Sequence, residues 1–265
     1  PIYTQRHLVK SRGQGLTLPF VMFRETLMRT PLTVLAAAAA FCTTAMAWSW
    51  DAPTHRLITQ LAVERFHERA GTPVFFGDGD IQAQIADGAT VPDRWRASRT
   101  PQLAHVNNPD HYIDIESLAP YNIKFQDIPP LRHEFIKALL TAKAAAGADF
   151  KGRPSDPAKD FAKTDEWPGF LPHTILEHYG KLRADFYTYR ILEKINDPRR
   201  GDQLKAAKMQ IFVEMGQLSH FVGDAAQPLH TTIHHHGWVG DNPNNYTTDR
   251  KFHAHIDGEV PRLHK

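Results

Sequence analysis

The chain has 265 residues, 42% of them hydrophobic and 23% charged, the balance of a globular protein long enough to bury one sizeable core. That composition excludes a small disulfide scaffold and a disordered tail. The formal net charge is +2, but residues 1–49 hold five basic side chains (Arg6, Lys10, Arg12, Arg24, Arg29) against one acid, Glu25, so the remainder is slightly acidic and bulk charge gives no argument for a polyanionic partner.

The N-terminal segment reads as an address. A short apolar run from Leu32 to Phe41 follows Arg29 and precedes the small-residue stretch CTTAMAWS. A positive flank, an apolar core too short to cross a bilayer and small residues beyond it are the pattern of a secretory signal peptide. The expectation is an upstream segment and signal peptide over 1–49, translation from Met22 or Met28, and cleavage exposing either Trp48 or Trp50. The product is then secreted or periplasmic, with no transmembrane anchor. Cys42, the single cysteine, lies within this segment, so the exported part has neither disulfide nor thiolate chemistry and depends on its core or on bound metal.

Beyond residue 50 the apolar spacing is helical. Leu57, Ile58, Leu61 and Phe66 form one stripe, and Phe135, Ile136, Leu139 and Leu140 a second. Ile175, Leu176, Tyr179, Leu182 and Phe186 form a third, and Ile211, Phe212, Met215, Leu218 and Val222 a fourth. The Asp-Gly cluster around Gly77–Asp80 has no paired alternating runs beside it, which argues against a hairpin. Residues 151–168 read as a polar loop, and 237–249 as a loop rich in Gly, Asn and Pro. The predicted fold is all-α, a single multi-helix domain over 50–265.

Histidine is the unusual count, at 16. His220 and Asp224 stand four apart at the end of the fourth stripe, and His253 and Asp257 repeat the spacing. Residues i and i+4 share a helix face, so each pair can reach one cation. Between them Pro228 breaks the helix just before His230. Upstream lie His55, Asp93 in VPDRW, and His111 and Asp114 in PDHYID. Imidazole with carboxylate and no thiolate is the donor set of a catalytic rather than a structural zinc site. The ligands are too many for one ion, and closely spaced metals suit displacement at phosphorus. A single H-x3-D pair is equally an ion pair on a helix face; two pairs with QPLH between them are not so easily dismissed.

These residues resemble the superfamily of zinc-dependent single-strand nucleases of the S-one/P-one type and bacterial zinc phospholipases C. The resemblance runs from Trp50 to Asp257 through WDAPTH, PDRW, HYID and HFVGD-AAQPLH to HAHID. It implies an all-α fold with three zinc ions in a cleft. Asp93, His111, His220 and Asp224 would hold one ion, and His230, His253 and Asp257 a second. His55, a bridging Asp224 and the free amine and carbonyl of an N-terminal Trp50 would hold the third. Asp114 matches the carboxylate similar to a general base, or else a partner that fixes His111. Trp95, Tyr112, Trp238 and Tyr246 are candidates for stacking on a base, and each is equally a core residue. The resemblance also implies further helical sequence after Lys265, so the domain is expected to be C-terminally incomplete.

The function expected is a zinc-dependent phosphodiesterase that cleaves single-stranded nucleic acid by metal-activated water and leaves 5′-phosphorylated products. The alternative is a phospholipase C acting on phospholipid headgroups. Asp257 favours the nuclease, since the phospholipases usually carry Glu at this position. A non-catalytic zinc-binding protein, suggested by His234, His235 and His236, is the third reading. No stable protein partner is evident. A His-Asp phosphohydrolase is excluded because the sequence has no His-Asp dipeptide.

Overall fold

In a computed structural model, which describes residues 51–153, 158 and 160–263, the chain is helical with no strand among the described residues. The signal-peptide segment, both cleavage positions, Cys42 and Trp50 lie outside the described residues. No helix among those described is long and apolar enough to cross a membrane.

Helix α1 (Ala52–His67) starts where the Asp51 carboxylate accepts the Thr54 amide at 3.0 Å, a side-chain cap for a donor the helix cannot satisfy itself. A 3-10 turn, Val74–Gly77, leads to α2 (Gly79–Gly88), capped in the same way by Asp78. Two short helices follow, α3 (Val91–Arg96) and α4 (Pro101–Asn107), each with proline in its first turn, where a missing N–H costs nothing. The chain then passes through 3-10 turns at Asn108–His111, Ile115–Tyr121 and Phe125–Asp127 into α5 (Arg132–Ala146). Helices α6 (Leu171–Ile195) and α7 (Gly201–Ala225) form a hairpin, with Asn196 left-handed at the end of α6 (φ 49°). A 3-10 turn over Pro228–Thr231, α8 (Phe252–Ala254), a π-helical turn (His255–Glu259) and α9 (Val260–Leu263) complete the path.

Helix α7 is the axis of the domain: α1, α2, α3 and α6 all pack on it. Near its start Ala207, Ile211 and Phe212 join Val63, Phe76, Ile85 and Tyr189 in one apolar cluster. Near its end Phe221 joins a second, with Ile113, Leu118, Phe135, Leu139, Phe170 and Leu171. The last turn of α7 therefore has a rigid seat.

The four stripes read from the sequence occur as helices, and Phe135, Leu139, Ile211 and Phe212 are buried as expected, but part of each stripe faces outward. Leu61, Leu140, Leu176, Tyr179 and Val222 are exposed. The buried face of α1 is instead Thr54, His55, Thr59 and Val63, and that of α7 includes Glu214, Gln217, His220 and Asp224. Polar side chains take inward positions here, so apolar periodicity alone points partly away from the core.

Candidate metal centre

His220 and Asp224 occupy the last turn of α7 and are wholly buried, with Nε2 and Oδ2 3.2 Å apart. His111 Nδ1 reaches the same Oδ2 at 3.0 Å and lies 3.0 Å from His220 Nε2. These three donors form a triangle with edges of 3.0–3.2 Å. Donors of a tetrahedral ion bound at 2.0–2.1 Å stand about 3.3 Å apart. Asp224 Oδ1 faces the other way, 3.5 Å from His55 Nε2 and 3.3 Å from His230 Nδ1. Asp93, on α3, lies with Oδ1 3.9 Å from His111 Nδ1.

Three groups have ligand atoms within 4.8 Å of one another: His55, Asp93 and His220; His111, His220 and Asp224; and His230, His253 and Asp257. All eight metal candidates in the described residues thus converge. In the third group His253 and Asp257 sit one turn apart across the junction of α8 and the π-helical turn, with Nε2 and Oδ2 2.7 Å apart. His230 Nε2 is 4.0 Å from the same Oδ2.

Backbone contacts set the ring orientations. His220 Nδ1 donates to the Ala89 carbonyl at 2.7 Å, and His230 Nδ1 donates to the His111 carbonyl at 2.9 Å. A carbonyl only accepts, so in the neutral rings Nε2 carries the lone pair toward the cluster. The loop carrying His111 is itself laced to the start of α6: the Phe170 amide bonds Pro109, the Leu171 amide bonds Tyr112 and the Asp114 amide bonds Pro168. Gly169 makes this approach possible, at φ +102° and with a hypothetical Cβ only 2.0 Å from the Tyr112 carbonyl oxygen.

Protonation follows burial. Burial holds His111 at about 4 and His230 at about 3, and also lowers His55, so all three rings are neutral at neutral pH. Burial alone would lower His220 and raise Asp224. Their mutual attraction outweighs it, so His220 goes up and Asp224 falls well below the ordinary carboxylate range. A proton on His220 Nε2 then stands where a cation would bind, and the two compete.

The fit to a metal is tested by what the side chains leave unsatisfied. His55 Nδ1, His111 Nε2, His230 Nε2 and His253 Nδ1 are buried without a hydrogen bond, while His55 Nε2, Asp224 Oδ1, His253 Nε2 and Asp257 Oδ2 have only one another and His230 as close partners. Each such atom costs roughly 1–3 kcal/mol if left alone, a cost that a bound cation would offset. The clusters could hold metal ions.

A cavity of about 200 Å3 opens beside them, lined by His111, His230 and His253 and walled by Arg96, Tyr112, Arg153, Asp165, His235 and His236. Asp114 stands outside the three groups. It is 1% exposed, its Oδ2 lies 2.6 Å from Arg153 Nη1 and its Oδ1 has no hydrogen bond. Burial pushes its carboxyl up to about 6 against the pull of Arg153.

Sequence reasoning missed three supports. Arg96 ion-pairs with Asp93 at 3.0 Å, and its i,i+3 spacing was a signal. Gln227 holds Asp257 Oδ1, giving the glutamine of QPLH a role. Arg153, in the polar loop, had no local signal. His235 and His236 reach the cavity, whereas His234 stacks on Trp238 at 3.7 Å, and His255 pairs with Glu259 at the surface. Of the aromatic candidates only Tyr112 lines the cavity; Trp238 and Tyr246 pack against each other at a tilt of 33°, with centroids 4.6 Å apart.

No family model, curated protein or solved structure matches the chain, so the chemistry of the centre rests on its own geometry.

Proposed function

We propose that the chain is an exported zinc-dependent phosphodiesterase of the single-strand nuclease and phospholipase C type, acting on single-stranded nucleic acid. The observation that carries this reading is the nesting of three buried His/Asp groups around Asp224, with unsatisfied donor atoms, beside a cavity walled by two arginines.

Asp93, His111, His220 and Asp224 would hold one zinc, and His230, His253 and Asp257 a second. His55 and Asp224 would hold a third, together with the amine and carbonyl of an N-terminal Trp50. Bound zinc supplies an acidified water and positive charge for phosphoryl oxygens. Asp114 Oδ1, buried and without a hydrogen bond, orients the attacking water and takes its proton. Arg96, tethered to Asp93, offers charge to the phosphate, and Tyr112 offers a ring face beside it. A mildly acidic chain attracts a polyanion here because three divalent ions concentrate positive charge at one place.

The test is the exported protein on single-stranded DNA and on phosphatidylcholine vesicles, each with and without chelator. Chelator-sensitive DNA cleavage with intact vesicles is the expected result. Cleavage of lipid alone would make the protein a phospholipase C, and neither activity with zinc bound would make it a zinc-binding protein without catalysis.

A further inference from the structure

Two guanidinium groups reach the cavity from separate elements, Arg96 from α3 and Arg153 from the loop after α5. Each is tied to a buried carboxylate, Arg96 Nε to Asp93 Oδ1 at 3.0 Å and Arg153 Nη1 to Asp114 Oδ2 at 2.6 Å. We propose that Arg153 is a substrate-binding residue that clamps the non-bridging oxygens of a phosphodiester together with Arg96, and that Asp114 positions it. This rests on the phosphodiesterase reading and adds a residue to it.

Three features support the assignment. One carboxylate contact occupies a fraction of a planar five-donor fork, and the Arg153 side chain remains 28% exposed on the cavity wall. Its partner is nearly fully buried, which a merely structural surface pair does not require. Burying a carboxylate costs several kcal/mol, and here that cost fixes the direction of a group facing the ligand cluster. The two oxygens of Asp114 also divide the labour: Oδ2 holds the guanidinium while Oδ1 carries no hydrogen bond. Anchored arginines suit phosphate oxygens better than flexible lysines because the fork loses less freedom on binding. Asp165 also lines the cavity, so the clamp has one acidic neighbour.

The test uses the zinc-loaded exported protein and inorganic phosphate as probe, with calorimetry for binding and elemental analysis for zinc. Arg153→Ala should keep its zinc, bind phosphate about tenfold more weakly and raise KM for single-stranded DNA more than it lowers kcat. Arg153→Lys should recover part of the loss. Asp114→Asn should weaken phosphate binding in the wild-type background and add nothing in the Arg153→Ala background. Phosphate affinity of Arg153→Ala within twofold of wild type, with DNA still cleaved, would remove the clamp and leave the phosphodiesterase reading intact. Phosphate binding that depends on Arg153 in a protein that cleaves no phosphodiester would do the reverse.

Discussion

Asp224 touches four histidines contributed by four separate elements, His111 and His220 through Oδ2 and His55 and His230 through Oδ1. Asp257 faces two, His230 and His253. Breaking a buried charged network by removing one partner costs roughly 3–5 kcal/mol, and the cost scales with how many groups share it. Asp224→Asn should therefore lose more metal than Asp257→Asn when both are dialysed against the same zinc concentration; equal content would deny Asp224 its central place. Much of this was legible in sequence, because H-x3-D is a statement about one helix face. The carbonyls of Ala89 and His111 that orient the rings were not, since a backbone acceptor has no residue signature. Arg153 and Asp114 meet across 39 positions, a contact no local spacing encodes.

At the level of elements, α7 carries His220 and Asp224, and Ala89, the residue that caps α2, supplies the carbonyl that aims His220. The two helices cross at Gly88 and Gly216, where a Cβ on Gly216 would fall 2.5 Å from the Ile85 oxygen and 2.9 Å from the Ala89 nitrogen. Gly216→Ala should cost about 1–3 kcal/mol through overpacking and also weaken zinc binding, because the displaced backbone includes Ala89. Gly180→Ala is the control: it lies within α6, a Cβ there meets nothing within 4 Å, and the change should stabilise by about 0.5–1 kcal/mol. Thermal unfolding of both variants, with and without zinc, checks the pair; equal effects would dissolve the link between crossing and centre. The helices themselves were readable from 3.6-residue periodicity. Their inner faces were read less well, because Thr59, His55 and Gln217 are buried although their own hydrophobicity does not predict it.

For the whole molecule, stability, acid and metal are one problem. His111 and His230 are held at about 4 and about 3 when folded, against about 6.5 in an unfolded chain. Between those values the unfolded state binds the extra protons, so each histidine's contribution is intact above pH 6.5 and falls away as pH drops toward 4 and 3. Asp114, raised to about 6 by burial, acts in the opposite sense between about 4 and 6 and offsets one of them. In chelator, denaturant unfolding at pH 4–6.5 should show stability falling with acid. His230→Asn should remove up to about 1.4 kcal/mol per pH unit of that slope. An unchanged slope would mean that His230 does not titrate as a buried neutral ring.

The amide of Asp51 and the hydroxyl of Thr54 both point to the carbonyl of Asp257, the latter across 203 positions. A ribosome delivers the chain in the opposite spirit, His55 early and Asp257 late. Until that turn docks, the group of His230, His253 and Asp257 is incomplete, whereas the two groups on Asp93, His111, His220 and Asp224 need nothing beyond residue 224. A metal ion retained by the group of His230, His253 and Asp257 through a desalting column would therefore report that the late turn has docked against the first helix.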